Sequence, residues 1–132
     1  MDPFPFTIEG FKESLYLLTE RTDSNACVIL ADKESDNFVQ FGRGPDLVLD
    51  LPLAALNAVQ SQRAHKFFKD MGVEAPVEYK APDLSDNDTV RKHQVFECNF
   101  GTDAKAASQT AIDLFYAVYG PIPLGRFRTV EQ

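Results

Sequence analysis

Two histidines, His65 and His93, and two cysteines, Cys27 and Cys98, are the first residues to weigh for chemistry. A zinc site needs a constellation such as Cys-x-x-Cys with further ligands, and no Cys or His lies at ligand spacing from either histidine. His65 falls on a helical pattern and His93 on a strand pattern, both read as solvated faces. Asp86, Asp88 and Glu97 occupy positions 1, 3 and 12 of a calcium loop, but Val90 and Arg91 stand at positions 5 and 6, where an oxygen ligand and a glycine are required. Gly42-x-Gly44 lacks the third glycine of a dinucleotide fingerprint and leads into a strand, so it reads as a hairpin turn. Ser14, Ser61 and Ser108 fall on predicted helices without a neighbouring His and acid, which leaves nucleophilic catalysis unsupported. The expectation is a non-catalytic protein with no cofactor and no metal.

Aromatic residues are the more informative set: eleven Phe and four Tyr, with no Trp. Periodicity assigns Phe11, Phe67, Phe96 and Phe100 to the core. Phe4, Phe6, Phe38 and Phe127 are harder to bury by pattern, and Val59 forms a second apolar edge on the helix beginning at Leu53. Such a surplus predicts an interface for dimerisation or client binding, centred on Phe38 and that helix.

The elements that must position these residues follow from periodicity and turn chemistry. An aromatic arm, residues 1–6, precedes a helix from Thr7 to about Arg21 whose stripe is Ile8, Phe11, Leu15 and Leu18. Thr22-Asp23-Ser24-Asn25 is a turn, after which Ala26–Ala31, Asn37–Phe41 and Leu47–Leu51 read as an antiparallel meander. Pro52 is expected to open the second helix, with Leu53, Leu56, Ala64, Phe67, Phe68 and Met71 on its apolar side and Gly72 as its stop. A short strand at Val77-Glu78-Tyr79, a mobile loop over Ala81–Thr89 and a long strand over Val90–Phe100 come next. Thr102 is expected to cap a third helix with Ala107, Ala111, Leu114 and Val118 as its stripe, ended by Gly120-Pro121. Residues 121–132 read as an irregular tail.

The order α-β-β-β-α-β-β-α predicts one α+β domain over residues 1–132. It is a two-layer sandwich of a five-stranded antiparallel sheet covered mainly on one face by three helices. At 132 residues with 44% hydrophobic and 25% charged, the chain is long enough to bury a core without disulfides. Thirteen Lys+Arg against twenty Asp+Glu, a net charge of -7, argue against nucleic acid as a partner. Neither a signal peptide nor a membrane span is read, so a cytoplasmic protein with Cys27 and Cys98 reduced and largely buried is expected. A disulfide between them would require their strands to be neighbours.

Two stretches carry a resemblance. Asn37-Phe38-Val39-Gln40-Phe41 in the second strand, and Ala111-Ile112-Asp113-Leu114-Phe115-Tyr116-Ala117-Val118-Tyr119-Gly120 with Pro121-Ile122-Pro123-Leu124 after it, are similar to the YbjN-like peptide-binding chaperone families, and the order of elements is similar to that of the type III secretion chaperones and the related YbjN group. The order of elements is similar over nearly the whole chain. This chain departs from those families in its short Gly42-Arg43-Gly44-Pro45 turn and its long acidic stretch from Asp83 to Asp88. The resemblance implies a homodimer that binds a protein or peptide client, holding it in extended form through apolar patches and free strand edges. Two other readings compete: an immunity protein that neutralises a toxin, and an enzyme with a loop site around Asp83, Asp86, Asp88 and His93.

Overall fold

The computed structural model describes residues 5–22, 26–42, 46–83 and 86–132, with backbone alone over 80–83 and 86–92. The first helix, α1 (Ile8–Leu18), starts where the Thr7 hydroxyl accepts a hydrogen bond from the Gly10 N–H at 3.0 Å. It buries Phe11, Leu15 and Leu18, whereas Ile8, expected to lead the stripe, lies one turn earlier and is half exposed. Three strands follow, β1 (Val28–Asp32), β2 (Phe38–Gly42) and β3 (Val48–Pro52), paired antiparallel as an up-and-down meander.

Pro52 does not open the second helix. It closes β3 and precedes a 3-10 turn over Leu53–Ala55, and α2 (Ala58–Asp70) begins only after Asn57. There the Asn57 side chain accepts from the Gln60 N–H while the Gln60 side chain accepts from the Asn57 N–H, so two otherwise orphaned donors are satisfied. Gly72 follows the helix at φ 91°, a conformation that costs a glycine little and any larger residue more.

The remaining strands correct the sequence reading in two places. β4 (Val77–Asp83) and β5 (Asp86–Asn99) are paired along their length, so most of the stretch expected to be a mobile loop belongs to a hairpin. Ladder bonds use backbone groups, and a hairpin that extends beyond the core needs no apolar side chains to form them. The tail expected to be irregular contains β6 (Phe127–Glu131), paired antiparallel with β1. Gly120, Pro121, Pro123 and Gly125 supply the turn chemistry that concealed it, and only Phe127 and Val130 carry an apolar signal over five residues.

Between β5 and β6 lies α3 (Ala104–Tyr119), capped by Asp103 rather than Thr102, because the Asp103 carboxylate is the group that accepts the Ala106 N–H. Among the described residues the chain is therefore α+β, with three α-helices and a six-stranded antiparallel sheet in the order β4-β5-β3-β2-β1-β6. The expected five strands become six through the tail.

Alternation decides which side of the sheet meets the helices. Val28, Leu30, Val39, Phe41, Leu49, Leu51, Phe96 and Phe127 point inward and are buried. Each helix docks by an aromatic contact: Phe11 of α1 on Phe41 (6.3 Å), Phe68 of α2 stacked on Phe96 (4.6 Å, 5° between planes), and Phe115 of α3 edge-on to Phe127 (4.9 Å). Burying each such side chain contributes about 1.5–3 kcal/mol, so these pairs fix where the helices lie. The three helices consequently share one face of the sheet.

Cys27 and Cys98 are free and half buried, less covered than expected. Cys27 sits just before β1 at the end of the sheet, and two strands, β3 and β2, separate β1 from β5. At about 4.8 Å per strand the thiols are too far apart to bridge.

A carboxylate also anchors the tail. Asp32, 3% exposed at the end of β1, accepts from Arg126 Nη2 at 2.6 Å and Nε at 3.2 Å, from the Ser35 hydroxyl at 2.8 Å and from the Glu34 N–H at 3.0 Å. Burial alone would raise the Asp32 pKa, but these donors outweigh it and hold the carboxyl below its ordinary value.

Candidate functional site

The side of the sheet away from the helices is built from the alternate residues of every strand. Register places Glu97, Asp50, Gln40, Ile29 and Val130 in one row across β5, β3, β2, β1 and β6. One step along the strands, Val77, Val95 and Pro52 line up on β4, β5 and β3, and Phe38, Ala31 and Arg128 line up on β2, β1 and β6. In the opposite direction Asn99 and Val48 pair with Gly42. Ile29, Phe38, Val48, Pro52, Val95 and Val130 are each only partly covered. Val77 and Tyr79 on the β4 edge are 42% and 46% exposed.

Phe38 stands near the middle of this face, and its backbone is pinned from the helical layer: the Tyr119 hydroxyl donates to the Phe38 carbonyl at 2.9 Å. Toward β5 the face turns acidic. Asp50 and Glu97 are directly opposed across the β3–β5 ladder. Gln40 Nε2 donates to Asp50 Oδ1 at 3.1 Å, and the Tyr79 hydroxyl donates to Glu97. Partial burial and then the neighbouring Glu97 push the Asp50 carboxyl above its ordinary value, against the lowering effect of Gln40. Toward β6 the face turns basic at Arg128, which is exposed and has no ion pair among the described residues.

A second concavity, of about 650 Å³, runs between α1 and the edge strand β6 and is lined by Gly10, Phe11, Ser14, Phe127 and Thr129. Phe6 sits in it, with its ring 5.3 Å from Phe127 and 6.0 Å from Phe11.

The predicted interface residues therefore separate. Phe38 lies on the uncovered face, while Val59 is 55% exposed on α2, which packs on the other side of the sheet, so the two do not share a surface. Phe127 is fully buried and belongs to the core, which removes it from any interface; its position as the first inward residue of β6 is the reason. Phe6 is half buried as a cover over Phe127, and Phe4 lies outside the described residues. Asp50 and Arg128 were not singled out by sequence reasoning, and Glu97 was weighed only as position 12 of a rejected calcium loop. Asp50 between Leu49 and Leu51, and Glu97 between Phe96 and Cys98, signal an outward acid on a buried strand, but which strands are neighbours is not written locally.

His65 lies on an exposed face of α2, edge-on to Phe96 at 4.8 Å with Nδ1 2.8 Å from the Ser61 carbonyl, and His93 is exposed on β5. The side chains of Asp83, Asp86 and Asp88 lie outside the described ones. Among the described residues no three His, Cys, Asp or Glu side chains gather as metal ligands, and no helix is long and apolar enough to cross a membrane. Comparison of the chain with protein-family models, curated proteins and solved structures gave no match.

Proposed function

We propose that this chain is a non-catalytic protein-binding domain that works as a homodimer, in the manner implied by its resemblance to YbjN-like and type III secretion chaperones. One observation carries this reading: a whole sheet face, from Val77 and Tyr79 on one edge to Val130 on the other, has no helix packed against it among the described residues and places apolar side chains in its middle. Sheets in two-layer domains can leave one face to water, but that face is then predominantly polar. Here Ile29, Ala31 and Phe38 adjoin one another on β1 and β2, and Pro52, Val95 and Val77 adjoin one another on β3, β5 and β4. A client held in extended form would use what remains free, the β6 edge beside the α1 groove, where backbone groups supply affinity and an aromatic socket supplies selectivity.

The test is a dilution series followed by NMR. The Ile29, Val48 and Val95 methyl and Phe38 ring signals should shift between high and low micromolar protein, while inward Val118 should not. Concentration-independent signals at all of these positions would remove the homodimer from the reading.

A further inference from the structure

The uncovered face is polarised. Its acidic half carries Asp50 and Glu97 on β3 and β5, its basic end carries Arg128 on β6, and Phe38, Ala31 and Ile29 lie between. Arg128 cannot reach Asp50 or Glu97 of its own chain. Three strand spacings separate β6 from β3, about 14 Å across the sheet, with a further row offset of about 7 Å along the strands. The carboxylates are opposed like charges, an arrangement that destabilises a sheet unless a cation is supplied. Burial first, and the neighbouring Glu97 beside it, raise the Asp50 pKa.

An interface between identical copies related by a two-fold axis must be complementary to itself. A face that is acidic on one side, basic on the other and apolar in the middle meets that condition. We propose that two copies of this chain pack their uncovered sheet faces together about a two-fold axis running along the strands between β2 and β1, with Arg128 of each copy reaching the Asp50–Glu97 pair of the other. That axis exchanges β3 with β6 and β2 with β1, so Phe38 of one copy meets Ala31 and Ile29 of the other. The inference rests on the homodimer reading and adds the surface and its registry.

Size is compatible. About this axis four strands overlap, β3, β2, β1 and β6; at about 4.8 Å apart and about 17 Å long they project about 330 Å² per copy, about 650 Å² for the two faces, the scale of a weak self-association. A second copy is favoured over a foreign basic protein because the missing cation is present on the same face, on the strand that the axis sets over β3 and one row, about 7 Å, from Asp50.

Charge reversal tests it. Arg128→Glu and Glu97→Lys should each weaken self-association by about tenfold in sedimentation equilibrium, and the double variant should recover most of that loss. Asp50→Asn should weaken it less, without altering the circular dichroism spectrum. If the wild-type chain dimerises and the reversals do not rescue one another, the registry is wrong and the homodimer stands. A wild-type chain that stays monomeric throughout overturns both.

Discussion

Asp50 and Glu97 stand directly opposite each other on β3 and β5, two carboxylates side by side on a sheet face that no helix among the described residues covers. Their mutual repulsion is tempered only locally, by Gln40 on the one and Tyr79 on the other. The like-charge contact costs the folded protomer stability, while in the proposed dimer the same pair meets a cation, so opposite effects on folding and association follow.

Asp50→Asn should stabilise the isolated protomer by about 0.5–1 kcal/mol, because the like-charge contact is lost while an amide oxygen remains for Gln40. The comparison belongs in a Phe38→Asp background, where association does not contribute to the unfolding free energy. Since the folded Asp50 pKa is raised, by burial first and Glu97 second, its penalty is absent below the ordinary carboxylate value and complete above the raised one. The gain should therefore be visible in urea unfolding at neutral pH and vanish in acid. A loss of stability at neutral pH would contradict it.

Asp32 gives the opposite dependence. Burial would raise its pKa, but the Glu34 N–H, Arg126 and Ser35 together hold it below its ordinary value. Its stabilisation is present above the unfolded carboxylate pKa and is lost as pH falls through the depressed folded one. Arg126 is about a third exposed, which limits the pair, so Asp32→Asn should cost about 1–3 kcal/mol at neutral pH. The difference from wild type should shrink as pH falls through the lowered folded value. Equal unfolding midpoints at neutral pH would show that the tail is held by β6 pairing alone.

Phe68→Ala should be more damaging than either carboxylate substitution, at about 3–5 kcal/mol, since it removes a fully buried ring stacked on Phe96. Val59→Ala, on the exposed face of the same helix, should change the urea midpoint little. Comparable losses from both would mean that α2 docks by a different face.

Much of this fold was legible in the chain. The stripe of Phe11, Leu15 and Leu18, the alternation of Leu47, Leu49 and Leu51, and the small-residue start of α3 at Ala107 and Ala111 all appear where periodicity placed them. What escaped is non-local. Phe127 could not be told from a surface aromatic until β6 was seen beside β1, and the 81–89 stretch looked like a loop because its pairing is made by backbone rather than by apolar side chains. The charge pattern of the uncovered face was equally hidden. Asp50, Glu97 and Arg128 are far apart in sequence, and only the order β5-β3-β2-β1-β6 sets two acids at one side and a base at the other.

The thiols offer a check on which residues face where. Burial pushes the Cys98 thiol up, whereas Cys27 precedes β1 at the sheet's end, so labelling should be biphasic with Cys27 first. Cys27→Ser should remove the fast phase. Loss of the slow phase instead would place Cys98 nearer solvent than its contact with the core allows.

The most direct measurement is sedimentation velocity of the wild-type chain and of Phe38→Asp across the micromolar range. Phe38 is a partly exposed aromatic near the centre of the uncovered face, and a buried charge there should weaken association by at least about tenfold. The expected result is a concentration-dependent dimer for the wild type and a monomer with an unchanged fold for the variant. A wild-type chain that sediments as a monomer at every concentration, indistinguishable from Phe38→Asp, would contradict self-association through this face.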